Sequence, residues 1–133
     1  MRPAAICEGG VLYGADDIVA EFVRKRLGGE NFDNYRALGL VHDGVLIGGV
    51  VFQNWTHMGV DRVEVVIATD SPRWCRFPTL KRLFAFAFED LGLRSIIART
   101  PAGNAHVRSI LERLGCHLEG QEGDVVIYGM NHR

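Results

Sequence analysis

Three groups of residues in this 133-residue chain have types and spacing suited to chemistry. The first is Glu64, which opens the run Glu64-Val-Val-Ile-Ala-Thr-Asp70. A carboxylate set among Val and Ile can draw a proton from a nucleophile held within hydrogen-bond reach. The plainer alternative is a strand residue paired with Arg62 or another neighbour. The second group is a basic cluster, Arg73, Arg76, Lys81 and Arg82, around the start of an expected helix. Positive charge at a helix N-terminus opposes the dipole, so the cluster points to an anionic ligand such as a phosphate, with an ordinary solvated helix start as the alternative. Trp74, between the arginines, is placed to stack on a base. The third is Asn104, which has the type and position of a helix N-cap. His42, His57, His106, His117 and His132 have no ligand spacing, so no metal is expected.

Bulk composition narrows the partners. Lys plus Arg number 15 and Asp plus Glu 16, a net charge of −1. No global field draws in nucleic acid or an anionic membrane, so any basic site is local. The apolar runs are far too short to span a membrane, and no signal-peptide pattern opens the chain. The three cysteines, Cys7, Cys75 and Cys116, are odd in number with no C-x-x-C pair. Neither a disulfide framework nor a zinc site is indicated, and a reducing, cytoplasmic setting fits best. Apolar residues at 47% and charged residues at 23% predict one globular domain over 1–133.

The elements that must position these groups follow from periodicity. Pro3 to Cys7 reads as an edge strand. Ile18, Val19, Phe22, Val23 and Leu27 have helical spacing, with Asp16 or Asp17 as cap and Gly28-Gly29 as stop. Ala37 to Val41 and Val45 to Phe52 flank His42-Asp43-Gly44, a hairpin signal. Asn54 to Val60 reads as a second turn, and Arg62 to Thr69 as a strand buried on both faces. Leu80, Leu83, Phe84, Ala87, Phe88 and Leu91 mark a helix ended by Gly92. Ser95 to Ala98 is a strand, Asn104 to Leu114 a helix, and Val125 to Tyr128 a last strand after a Gly- and Glu-rich turn. The unit from Arg62 to Ala98 predicts a right-handed crossover between parallel strands. The fold class is α/β (α+β), a mixed, mostly antiparallel sheet with helices on both faces.

The stretch Asn104-Ala-His-Val-Arg-Ser-Ile-Leu-Glu-Arg-Leu-Gly-Cys-His-Leu-Glu-Gly120 resembles the N-x-x-S-x-x-x-L-E-K-x-G-F-x-x-E-G stretch of the GNAT superfamily of N-acyltransferases. Its Leu-Glu version is similar to the branch that acetylates protein N-termini. Val107 and Cys116 replace the expected Ser or Ala and Phe. The superfamily's Q/R-x-x-G-x-G/A pyrophosphate loop corresponds to Arg73-Trp-Cys-Arg76-Phe-Pro78-Thr79, with Arg76 and Pro78 where glycines are expected. The resemblance implies that the parallel strand pair splays apart and takes the pantetheine arm of acetyl-CoA. Val66, Ile67 and Ala68 would line that gap, Arg73, Arg76, Phe77 and Thr79 would hold the phosphates, and Asn104 would touch the arm, with Ser109 a weaker candidate. Glu64 would be the general base. A Tyr general acid, frequent in the superfamily, is replaced by Leu111, and Tyr128 is a distant substitute or a core residue.

The implied function is transfer of an acetyl group from acetyl-CoA, the acyl donor, to a primary amine of a peptide, protein or small molecule. A covalent route through Cys75, in its electropositive loop, is a minor variant. Two other readings stay open. One is a catalytically degenerate GNAT-like binding or structural module, of the kind found in phage virions. The other is a GNAT-like DNA-base modifier, resting on the basic cluster alone. The sequence leaves the acceptor and the oligomeric state open, a homodimer included.

Overall fold

The structure, a computed structural model, describes residues 6–28, 31–32, 34–53, 62–71 and 76–131. Its elements are β1 (Ile6–Glu8), β2 (Val11–Tyr13), α1 (Asp16–Arg26), β3 (Arg36–His42), β4 (Val45–Gln53), β5 (Arg62–Thr69), α2 (Phe77–Ala85), β6 (Ser95–Pro101), α3 (Ala105–Arg113), β7 (His117–Glu122) and β8 (Val125–Asn131). A π-helical turn, Phe86–Asp90, prolongs α2. The strands form one sheet in the order β1-β2-β3-β4-β5-β6-β8-β7. Every neighbouring pair is antiparallel except β5 and β6, which run parallel.

Local chemistry accounts for most of these elements. Asp43 and Gly44 close the β3–β4 hairpin with φ of 51° and 76°. That is the type I′ geometry whose twist matches the strands, and it favours Asp-Gly. Asn104 caps α3, its side-chain oxygen accepting from Val107 N–H at 3.3 Å. The cap of α1 differs from expectation: Ala15 is the N-cap and makes no side-chain bond. Asp16 instead lies in the first turn and accepts from Ala37 N–H at 3.0 Å and Arg36 Nε at 3.2 Å. Asp17 accepts from the Tyr35 hydroxyl. Both acids still complement the dipole, but they are spent on tying α1 to the start of β3.

Two strands escaped the sequence pattern. β2 is only three residues, set off by the Gly9-Gly10 turn, too short to show alternation. β7, expected as a turn, has the sequence His-Leu-Glu-Gly-Gln-Glu and is almost wholly exposed. An edge strand with no buried face carries no hydrophobic period. The strand Ser95 to Ala98 also extends further, through Pro101. The expected second turn at Asn54 to Val60 lies outside the described residues.

The sheet divides two apolar layers. Val63, Val65 and Ile67 of β5 pack with Phe86, Ala87, Val107, Ile110 and Leu111 on the α2 and α3 side. Val66 and Ala68 pack with Val19 and Val23 of α1 on the other. The two-residue alternation of a strand thus puts Glu64, Val66 and Ala68 on the α1 face. Gly49 of β4 lets α1 approach: a Cβ there would come 2.6 Å from Val23 and 2.7 Å from Val19 side-chain carbons.

Candidate active site

The parallel pair shapes the centre of the molecule. β5 and β6 pair from Arg62↔Ser95 to Val66↔Arg99 and no further. Yet β5 continues to Thr69 and β6 to Pro101. Beyond Val66 the two strands pair only outwards, Ile67 to Thr69 with β4 and Thr100 to Pro101 with β8. A gap therefore opens at their carboxyl ends, where α/β sheets bind ligands. The chain leaves β5 towards α2 and β6 towards α3, so both helices begin at that end. Their N-terminal amides and dipoles favour an anion there.

On the α1 face of the gap lies a cavity of about 280 Å³, lined by Arg26, Leu27, Glu64, Val66, Arg99, Thr100, Pro101 and Val125. Glu64 is 8% exposed. Its Oε1 accepts from Gln53 Nε2 at 3.2 Å and from Arg99 Nη1 at 3.4 Å. Arg99 Nη2 also lies 3.7 Å from Glu122 Oε2. A buried carboxylate needs such partners, since an uncompensated one is costly. At the cavity's other wall Arg26 grips Asp70 through two bonds of 2.6 and 2.7 Å and donates a third to Phe22 C=O at 3.0 Å. Hydrogen bonding from Arg26 holds the Asp70 carboxyl below its ordinary range. Asp70 directly follows β5, so this pair ties the end of α1 to the rim of the gap.

Thr100 is the first residue of β6 past the paired region. It is 2% exposed, and its Oγ1 has no hydrogen-bond partner among the described residues. Its cross-strand partner Val126 and its neighbour Ala98, two residues back, belong to the α2–α3 layer, so its side chain lies on that side of the sheet, next to the gap. A buried hydroxyl without a partner costs about 1–3 kcal/mol, and a ligand in the gap would satisfy it.

The remaining candidates are placed unequally. Val66, Ile67 and Ala68 line the mouth of the gap. Arg73, with Trp74 and Cys75, lies outside the described residues. Arg76 is exposed at the N-cap of α2. Phe77 opens that helix, Pro78 follows without an N–H, and Leu80 N–H makes an intrahelical bond to Arg76 C=O at 2.9 Å. The amides of Phe77 and Thr79 are thus the donors at this helix start. The Thr79 hydroxyl, though, is buried and donates to Gly9 C=O at 2.8 Å, a bond that fastens the β1–β2 turn beneath α2. Arg82 is likewise engaged, with Glu8 Oε2 at 3.1 Å. Ser109 stands on the exposed face of α3, opposite Val107, Ile110 and Leu111, and points away from the gap.

Tyr128 is fully buried. Its hydroxyl donates to Glu112 Oε2 at 2.8 Å and accepts from Arg108 Nε at 3.2 Å, while Arg108 Nη1 donates to Ala102 C=O at 3.0 Å. This network secures α3 and the turn that carries Asn104; it does not reach the gap. The apolar space of about 50 Å³ between helices and sheet, around Val65, Leu83, Ile110 and Leu111, offers no polar group and belongs to the core. No cluster of His, Cys, Asp or Glu able to hold a metal occurs among the described residues. Among them, too, no helix is long and apolar enough to cross a membrane.

Sequence reasoning missed Arg99 and Thr100. Extending the alternation of Ser95-Ile-Ile-Ala three residues further would have put Arg99 on the face of Glu64.

No protein-family model and no curated protein matches the chain. Solved structures do. A ribosomal-protein-S5-alanine acetyltransferase from Vibrio fischeri superposes with a TM-score of 0.66 at 14% identity, over 97% of this chain and 97% of its own. The N-acetyltransferase PseH from Campylobacter jejuni, in complex with acetyl coenzyme A, gives 0.58 at 14%, over 82% and 74%. The spermidine/spermine N-acetyltransferase SpeG from Vibrio cholerae gives 0.57 at 18%, over 90% and 78%. With the open parallel strand pair at its centre, the fold of this chain is that of the GNAT superfamily of N-acyltransferases.

Proposed function

We propose that this chain is an acyl-CoA-dependent N-acyltransferase that moves an acetyl group from acetyl-CoA to a primary amine, in the cytoplasm. The observation that carries this reading is the gap between β5 and β6, with a buried carboxylate on one face and an unpartnered buried hydroxyl on the other. The pantetheine arm would bond to gap-facing backbone of Val66, Ile67 and Ala68, to the Thr100 hydroxyl and to the Asn104 side-chain amide. Arg76, Arg73 and the amides of Phe77 and Thr79 would hold the phosphates by charge-assisted bonds.

In the reaction, the amine enters neutral, and Glu64 takes one proton from its nitrogen, directly or through one water, as the C–N bond forms. The nitrogen lone pair attacks the thioester carbonyl, and the tetrahedral oxyanion is met by gap-facing N–H groups. Collapse forms the amide and breaks the C–S bond. The leaving thiolate, with a thiol pKa of about 8.5, needs no general acid near neutral pH. The replacement of the superfamily's Tyr by Leu111, and the engagement of Tyr128 with Glu112, are compatible with this route.

A catalytically degenerate module is the second reading. It is favoured by one cluster of facts: Pro78 removes an amide from the phosphate end, and the Thr79 hydroxyl and Arg82 are tied to the β1–β2 hairpin. A DNA-base modifier has less support, because Arg82 is withdrawn from the basic cluster. Calorimetry with acetyl-CoA, followed by thiol detection of released CoA across an amine and nucleobase library, separates the three. Binding with amine-dependent release supports the transferase; binding without any release supports the module; release with a nucleobase alone supports the modifier.

A further inference from the structure

The cavity beside Glu64 is bordered by two arginines in different states. Arg26 is heavily engaged: three of its five N–H donors go to both Asp70 oxygens and the Phe22 carbonyl, and its guanidinium lies 3.3 Å from the Phe22 ring centroid. Arg99 is not. Its hydrogen bonds among the described residues amount to one, to Glu64 at the long distance of 3.4 Å, and its contact with Glu122 is an ion pair at 3.7 Å. The side chain is 34% exposed. A guanidinium carries five N–H donors in a fork that matches a carboxylate, so most of this fork faces the cavity and solvent unused. It sits on the last paired residue of β6, at the mouth of the gap.

The arrangement is an acid and a base side by side in a small space. At about 280 Å³ the cavity is just below the usual size of ligand pockets, which run from about 300 to 1,000 Å³. An incoming amine must come to Glu64. Any group attached close to that amine then comes to Arg99. In an α-amino acid the nitrogen and the carboxyl carbon are separated by about 2.5 Å, from the bond lengths and angle at Cα. Such a molecule can therefore place its nitrogen on Glu64 and its carboxylate on the neighbouring fork. A diamine makes no such match: Arg99's open N–H groups need an acceptor, which a second cation does not offer, and Asp70 and Glu122 are already paired with Arg26 and Arg99.

Resting on the acyltransferase reading, we infer that the acceptor is a free amino acid or a similar small primary amine bearing a carboxylate next to the amine, and that Arg99 is the residue that recognises this carboxylate. The Arg99 fork holds the carboxylate while Glu64 receives the proton, so the nitrogen is oriented towards the thioester at the gap. Val66 and Leu27, which line the same cavity, are left to meet the acceptor's side chain, and their apolar character favours a small aliphatic one.

The test uses the wild-type protein with acetyl-CoA and matched acceptors: the common L-amino acids, their primary amides, putrescine, spermidine, and short peptides with free N-termini. CoA release is followed for each, and binding of the same acceptors to the CoA-saturated protein is followed by calorimetry. An amino acid is expected to exceed its own amide in kcat/KM by about 10- to 150-fold, the value of a charge-assisted bond. In Arg99→Lys and Arg99→Gln this ratio should fall towards one, mainly through a higher KM for the acid, with acetyl-CoA affinity as the folding control. Amides, diamines or peptides used as well as the free acid would overturn the acceptor assignment while leaving the transferase reading intact. A ratio unchanged in both Arg99 variants would overturn the role of Arg99. A protein that binds no acetyl-CoA and releases no CoA with any amine would instead remove the transferase reading, and this inference with it.

Discussion

Replacing Glu64 by Gln tests the centre of the site, and the structure sets the size of its two effects. The amide is nearly isosteric and can still accept from Gln53, so packing around β5 is preserved. What is lost is the charge partner of Arg99. Removing one member of a fully buried ion pair costs about 3–5 kcal/mol, but Arg99 is one-third exposed, its bond to Glu64 is long at 3.4 Å, and Glu122 remains nearby. The stability loss should therefore be that of one ordinary hydrogen bond, about 1 kcal/mol, or a fall in Tm of roughly 3–5 °C for a chain of this size. Turnover at saturating amine should fall by about 10²–10⁴-fold, as for loss of a positioned base, with acetyl-CoA affinity nearly unchanged. Steady-state CoA release, calorimetry and a thermal melt measure the three quantities. Turnover within about tenfold of wild type would show that Glu64 is not the base. A large loss of acetyl-CoA binding would show that it shapes the cofactor gap instead.

Thr100→Val should raise the stability of the ligand-free protein by about 1–3 kcal/mol, because it removes an unpartnered buried hydroxyl, while weakening acetyl-CoA by roughly 2- to 10-fold. Destabilisation in a denaturant melt would refute the absence of a partner for that hydroxyl. Arg76→Ala should weaken acetyl-CoA binding by about 1.5–3 kcal/mol, with wild-type affinity falling as salt is added; unchanged calorimetric affinity would exclude Arg76 from phosphate binding. Cys116 is buried beside α3, and burial pushes its thiol from 9.0 up to about 11. The unfolded chain deprotonates first, so this contribution is intact below pH 9 and is lost as pH rises towards 11, a fall of roughly 3 kcal/mol. Cys116→Ala should show a shallower alkaline decline in denaturant melts, and parallel curves for the two proteins would contradict the assignment.

What the sequence determined by itself is whatever depends on neighbours along the chain. The period of Leu80, Leu83, Phe84 and Ala87 marks the second helix. Asp43-Gly44 closes its hairpin because two adjacent residues must adopt positive φ. Asn104 caps α3 through a bond that spans three residues. The doubly buried character of Val63 to Ala68 placed β5 at the sheet's centre, and with it Glu64. Two strands were invisible for the converse reason: β7 buries no face, and β2 is too short to alternate.

Tertiary structure alone decided the partners. That Glu64 faces Arg99 and Gln53, residues 35 and 11 positions away, depends on the parallel register Val66↔Arg99 and the antiparallel register Gln53↔Glu64. That Thr79 is drawn to the β1–β2 turn, 70 positions away, depends on how the first hairpin packs beneath α2. The opening between β5 and β6 has no signature in either strand's residues. It arises because each strand, past Val66 and Arg99, keeps its outer neighbour and loses its inner one, a property of the whole twisted sheet that no local pattern encodes.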